Sequence, residues 1–102
     1  MSFAQTDRIN CLFDIYQNLL TQHQKDIIIS YYQEDLSLSE IAENLDISRN
    51  AVFSLIKRVE AILEDYESKL HLYEKKMNLY KLLEKNDIDI KIKTKIEKII
   101  DE

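Results

Sequence analysis

S-L-S-E-I-A-E-N-L-D-I-S-R-N-A-V-F-S-L-I-K-R-V, residues Ser37 to Val59, reads as two helices joined by a tight turn. Ser37 caps the first helix, and Glu40, three residues on, reaches back to the cap's own N–H, a capping box. Ile41, Ala42 and Leu45 follow as an apolar stripe at helical spacing. Asp46 is a short polar residue that tolerates a left-handed backbone. Ile47 plugs the turn and Ser48 caps the second helix. Val52, Ile56 and Val59 face inward, and Ala42 is small where the two helices cross. Arg49, Asn50, Phe53, Ser54 and Lys57 stay on or near the outer face. Two short helices at a steep angle, the second presenting its first turns, describe a helix-turn-helix. The plainer alternative is an ordinary helical hairpin with Arg49, Lys57 and Arg58 as solvated charges.

Working outward, residues 6 to 19 form a first amphipathic helix capped by Thr6, with Ile9, Leu12, Phe13, Tyr16, Leu19 and Leu20 inside and Asp7 and Arg8 exposed. Thr21 and Gln24 have capping-box spacing and start a second helix with Ile27, Ile28, Tyr31 and Tyr32 inside. It ends near Gln33 to Asp35.

Beyond Val52 the apolar positions run Val52, Ile56, Val59, Leu63, Tyr66, Leu70, Tyr73, Met77, Tyr80. Steps of four and three alternate without a break, the period of a coiled-coil seam. A helix continuous to Leu83 spans roughly 54 Å at about 1.5 Å per residue. That exceeds what the rest of the domain covers, so the seam from Leu63 through Tyr66, Leu70, Tyr73, Met77 and Tyr80 needs the C-terminal segment or a second copy of the chain. Its three tyrosines suit a looser, wetter contact than Leu or Ile give. Asn86 and Asp87 end this helix and cap the next. Ile88, Ile92, Ile96, Ile99 and Ile100 share one face of a final helix, although Ile88, Ile90 and Ile92 also alternate as a strand does. The segment folds back on the long helix or swaps onto a partner. The domain organisation expected is a helix-turn-helix domain over residues 1–60, and a long-helix extension with a C-terminal helix over 61–102 that dimerises.

Composition agrees with an all-α chain. There are 102 residues and no Gly, Pro or Trp, so the usual punctuation of hairpins is missing. A chain of this length suits one domain with a modest core. The net charge is −5, which opposes a nucleic-acid partner in bulk. Its distribution is uneven: Ser48 to Val59 holds three basic residues and no acid. Met1 to Leu70 carries six basic and twelve acidic residues, and His71 onward eight basic and seven acidic. The basic face is local, and weak, salt-sensitive binding follows. The one cysteine, Cys11, excludes an internal disulfide and a cysteine metal site, and its spacing predicts a buried thiol. With only His23 and His71, both read as surface residues, a histidine metal pair is not expected. There is no signal peptide and no apolar run of membrane length, which predicts a cytoplasmic protein without membrane insertion.

Catalytic chemistry is not legible. No phosphate-cradling glycine loop and no H-E-x-x-H occurs. No Ser, His and Asp are spaced to suggest a nucleophile with its base. Asp87 and Asp89 start like a calcium loop but lack its later ligands and glycine. The expectation is a protein that is not an enzyme and uses no metal or cofactor.

Three runs carry a family resemblance: I-N-C-L-F-D-I-Y-Q-N-L-L-T-Q-H-Q (Ile9 to Gln24), Y-Y-Q-E-D-L-S-L-S-E-I-A-E-N-L-D-I-S-R-N-A-V (Tyr31 to Val52) and K-R-V-E-A-I-L-E-D-Y-E-S-K-L-H-L-Y-E-K (Lys57 to Lys75). Together they resemble the YlxM family of small bacterial proteins, over residues 7 to 77. The helix-turn-helix is also similar to the sigma-factor region, region 4, that binds the −35 promoter element. Sigma-like versions usually carry Gly where this chain has Asp46, and more basic residues where it has Phe53 and Leu55.

The resemblance implies a helix-turn-helix protein, dimeric through its helical extension, with a regulatory role in the signal recognition particle pathway of protein targeting. On that reading Ser48, Arg49 and Asn50 lie at a helix start that favours phosphate. Asn50, Phe53, Ser54 and Lys57 face a groove or loop, and Arg58 holds phosphate from the flank. Duplex DNA is the first partner expected. The particle's RNA, with Phe53 stacking on an unpaired base, and a protein contact to the particle's GTPase are the alternatives.

Overall fold

The absence of helix breakers in the sequence is expressed directly. The structure, a computed structural model, describes residues 3–101, and among them every regular element is helical. In chain order these are α1 (Phe3–Tyr16), a 3₁₀ turn (Gln17–Leu19), α2 (Gln22–Ile28), a π-helical turn (Ile29–Gln33), α3 (Leu38–Leu45), α4 (Arg49–Leu70), α5 (Leu72–Lys85) and α6 (Ile90–Ile100). They fall into two compact units, Met1–Leu70 and His71–Glu102.

In the first unit, α1, α2 and α3 each pack against α4. Its core is Ile9, Leu12, Phe13, Tyr16, Leu20, Ile27, Ile28, Tyr32, Ile41, Ala42, Val52, Ile56, Val59 and Leu63. Both expected capping boxes form. Thr21 Oγ1 accepts from the Gln24 N–H at 3.2 Å while Gln24 Oε1 accepts from the Thr21 N–H at 3.0 Å. Ser37 Oγ and Glu40 Oε1 repeat the arrangement at 3.0 and 3.1 Å. Each box satisfies two N–H groups that the first helical turn otherwise leaves without acceptors.

Several local expectations are corrected. Thr6 lies inside α1 and does not cap it, because the chain is already helical from Phe3. Leu19 is 54% exposed: the 3₁₀ turn at Gln17–Leu19 rotates it away from the α1 stripe. The second helix loosens into the π turn, where the Glu34 N–H reaches back five residues to the Ile29 carbonyl at 2.9 Å. Asp35, left-handed at φ 56°, ends it. Cys11 is only partly buried.

The helix from the turn does not run unbroken to Leu83. It ends at Leu70, and α5 restarts at Leu72 across His71, which is left-handed at φ 55°, ψ 29°. Histidine, like Asn and Asp, enters this backbone region more readily than bulkier residues do. His71 Nδ1 lies 3.1 Å from Glu74 Oε2, and its carbonyl accepts from the Lys75 N–H at 2.9 Å. The 3.5-residue seam is therefore divided between two helices.

In the second unit α5 packs on α6, Leu83 is buried, and the Tyr80 hydroxyl donates to Asp101 Oδ1. The cap of α6 is Asp89, whose side chain accepts from the Lys91 N–H at 2.8 Å; Asp87 does not take that place. The strand-like alternation of Ile88 to Ile92 resolves as helix from Ile90 onward, and Ile90, Ile92 and Ile99 remain 71%, 54% and 71% exposed.

Candidate nucleic-acid interface

The turn between α3 and α4 sets the geometry of the site. Asp46 is left-handed at φ 56°, ψ 46°. Its N–H bonds the Glu43 carbonyl at 3.3 Å, and the Ile47 N–H bonds the Ala42 carbonyl at 3.1 Å. This pair is a Schellman closure, which satisfies the last carbonyls of α3 and turns the chain sharply. Ile47, expected to plug the turn, is 37% exposed, and Leu45 is 38% exposed. The closure is held mainly by its backbone bonds. Ser48 then caps α4: its Oγ accepts from the Ala51 N–H at 3.0 Å, and its carbonyl from the Val52 N–H at 3.1 Å.

From there the two faces of α4 separate cleanly. Val52, Ile56, Val59 and Leu63 are essentially fully buried against the other helices. Ser48, Arg49, Asn50, Phe53, Ser54, Lys57 and Arg58 are all exposed, and Phe53 is half exposed. The structure thus brings all seven expected contact residues onto the first three turns of one helix. At about 100° per residue, Arg58 sits about 100° round the helix from Lys57. It lines a shallow groove with Thr21, Gln24, Ala61, Ile62 and Tyr66, and so flanks the other six. The Lys57 ammonium lies 5.4 Å from the Phe53 ring centre and 3.5 Å from Glu60 Oε1.

Two carboxylates on the inner face escaped the sequence reading. Glu60 and Glu67 are buried, each 6% exposed. The Tyr16 hydroxyl donates to Glu67 Oε1 at 2.6 Å. The Tyr32 hydroxyl bonds Glu60, and burial first, then the Glu60 charge, push the Tyr32 phenol well above its ordinary value. Burying a carboxylate is tolerated when hydrogen-bond donors meet it. The signal was present: Glu60 and Glu67 stand seven apart, each four residues after a buried apolar residue. Arg8 makes a two-pronged pair with Glu64, both N···O distances 2.7 Å, which fixes α1 against the outer edge of α4.

The proposed dimer residues have different fates. Leu63 is fully buried in the core of the first unit, so it offers no surface to a partner. Tyr66 is partly buried, and its hydroxyl donates to the Leu19 carbonyl at 3.3 Å. Leu70 and Met77 are 44% and 38% exposed. Tyr73 and Tyr80 are partly buried.

Comparison with known proteins agrees with this geometry. The family described as "Putative helix-turn-helix protein, YlxM / p13 like" matches residues 3–102. A UPF0122 protein of Bacillus velezensis is 56% identical over 69 residues, 68% of this chain and 63% of its own length. UPF0122 proteins of Bacillus thuringiensis and Bacillus mycoides are each 53% identical over 65 residues, 64% of this chain and 59% of theirs. The chain thus spans about six-tenths of the length of these relatives. No helix among the described residues is long and apolar enough to cross a membrane. An all-α chain with a capped helix–turn–helix, matched from Phe3 onward, belongs to the YlxM/p13-like family of helix-turn-helix proteins.

Proposed function

We propose that this chain is a non-enzymatic regulatory protein that binds duplex DNA through the first three turns of α4. The observation that carries the reading is the contiguous exposed set Ser48, Arg49, Asn50, Phe53, Ser54, Lys57 and Arg58 on a helix whose opposite face is fully anchored in the core. Such a helix enters a major groove as a rigid body. The N–H groups at its start and Arg49 meet phosphate, Asn50 and Ser54 face the base edges, Lys57 reaches a phosphate across the groove, and Arg58 grips the backbone from the flank. The surrounding acidic surface keeps binding weak and salt-dependent. The resemblance to YlxM proteins supports a cytoplasmic role in the signal recognition particle pathway. Exposed Leu72, Met77, Leu79 and Leu82 on α5 support a homodimer formed through the C-terminal helices.

The second reading is a protein–protein or protein–RNA module, in which the same face contacts the particle's GTPase or RNA. Exposed Phe53 favours it, because half of an aromatic ring in water at the centre of the face suits stacking or an apolar pocket. Crosslinking the tagged protein in its native cells and identifying what co-purifies separates the two. Discrete promoter DNA supports the regulator. The particle's RNA or GTPase, with no DNA above background, overturns DNA binding in favour of the second reading.

A further inference from the structure

Glu60 is the residue that the nucleic-acid reading leaves without a purpose. It lies on α4 just under one turn beyond Lys57 and is 6% exposed, beside the apolar stripe of Ile56, Val59 and Leu63. Its carboxylate is met by the Tyr32 hydroxyl and by the Lys57 ammonium, 3.5 Å from Oε1. That ammonium is also 5.4 Å from the Phe53 ring centre. A lysine at the centre of an anion-binding face would ordinarily extend into water. Here the side chain is drawn along the helix surface, one end of its reach set by a buried carboxylate and the other by an aromatic ring.

The geometry points to Glu60 as a positioning residue that holds Lys57 against Phe53 and away from phosphate, and so limits the affinity of this face for duplex nucleic acid. The inference rests on the proposed function and deepens it. A carboxylate inside the protein is screened less than one in water, so it competes with an incoming phosphate for the same ammonium. Lys57 already has its counterion within the protein. Transferring it to phosphate exchanges one anion for another, and adds less to the salt dependence of binding than a freely solvated lysine would.

The test is fluorescence-anisotropy titration of a mixed-sequence DNA duplex between 50 and 200 mM salt, with wild type, Glu60→Gln, Lys57→Gln and the double variant. Glutamine keeps the shape of Glu60 and an acceptor for Tyr32. Glu60→Gln is expected to bind about threefold tighter or more, with the salt slope steeper by about one phosphate contact. The gain is expected to vanish in the Lys57→Gln background. A folded Glu60→Gln protein that binds no tighter than wild type overturns the inference while leaving DNA binding intact. An equal gain with Lys57→Gln overturns it too, because the effect would then be bulk charge. If neither wild type nor Glu60→Gln binds the duplex, the proposed function falls and the inference with it. A measurement free of both variant folding and DNA is the proton spectrum of the wild type. The Lys57 ε-methylene protons are expected upfield of the other lysines through the Phe53 ring current, and a normal position overturns the inference.

Discussion

Arg49→Ala combined with Lys57→Ala is the perturbation that bears most directly on the interface. The face carries three cations, Arg49, Lys57 and Arg58, all exposed. Each phosphate contact on duplex DNA contributes about 0.9 to the slope of log affinity against log salt. Three contacts set a ceiling near 2.7, and the two arginines alone give about 1.8; with Lys57 partly held by Glu60 at 3.5 Å, wild type lies between them. Raising salt fourfold, from 50 to 200 mM, should then weaken wild-type binding by about twelvefold to fortyfold. The double variant retains Arg58 alone, and the same change should weaken it only about three- to fourfold. At the lower salt its affinity should already be down by about 2 kcal/mol, or roughly thirtyfold. Folding should survive, since neither residue contributes to the buried core. Removing the Lys57 ammonium from the buried Glu60 carboxylate, which keeps the Tyr32 hydroxyl, should cost on the order of 1–3 kcal/mol. The assay is anisotropy of a labelled duplex across the salt series, with circular dichroism to verify helicity. A folded double variant with wild-type affinity and slope would refute the assignment of this face.

Asp46→Gly should raise the melting temperature by about 3 °C, because glycine relieves roughly 1 kcal/mol of left-handed strain at φ 56° and gives part of it back as unfolded-chain entropy; a lowered melting point would show that the Asp side chain itself holds the turn. Alkaline absorbance titration should set two of the six tyrosines apart. The hydrogen bond to Asp101 pushes Tyr80 up to about 12, and burial keeps Tyr32 protonated well past the usual value near 10. Both native-state values are raised, so their stabilising effect is complete below the unfolded value and is lost as pH climbs through the native one. Asp101→Asn should return Tyr80 toward ordinary behaviour, and a single wave of all six tyrosines near 10 would contradict the contact. Light scattering at micromolar concentration should give twice the 12.2 kDa chain mass; a monomer mass would end the proposal of a dimer through the C-terminal helices.

The sequence by itself determined the helix–turn–helix and the caps at Thr21, Ser37 and Ser48. A capping box is local: the Ser37–Glu40 and Thr21–Gln24 bonds close within four residues, so residue identity and spacing suffice to define them. The same holds for Asp46 and Ser48, whose backbone requirements are short-range, and for the alternation that buried Val52, Ile56 and Val59 while leaving Arg49, Asn50, Phe53 and Lys57 outside. What only the tertiary structure decided were matters of competition between distant groups. Heptad spacing favoured one unbroken helix through His71, yet that residue adopts a left-handed backbone, a choice no periodicity encodes. Leu63 fitted the seam as well as Leu70 did. The packing of α1 and α2 on α4 placed Leu63 in the core and left Leu70 half exposed. Glu60 and Glu67 are buried because α1 and the π turn bring Tyr16 and Tyr32 against them. Burial of a charge depends on partners 28 and 51 residues away in the chain, and a sequence states neither their distance nor their direction.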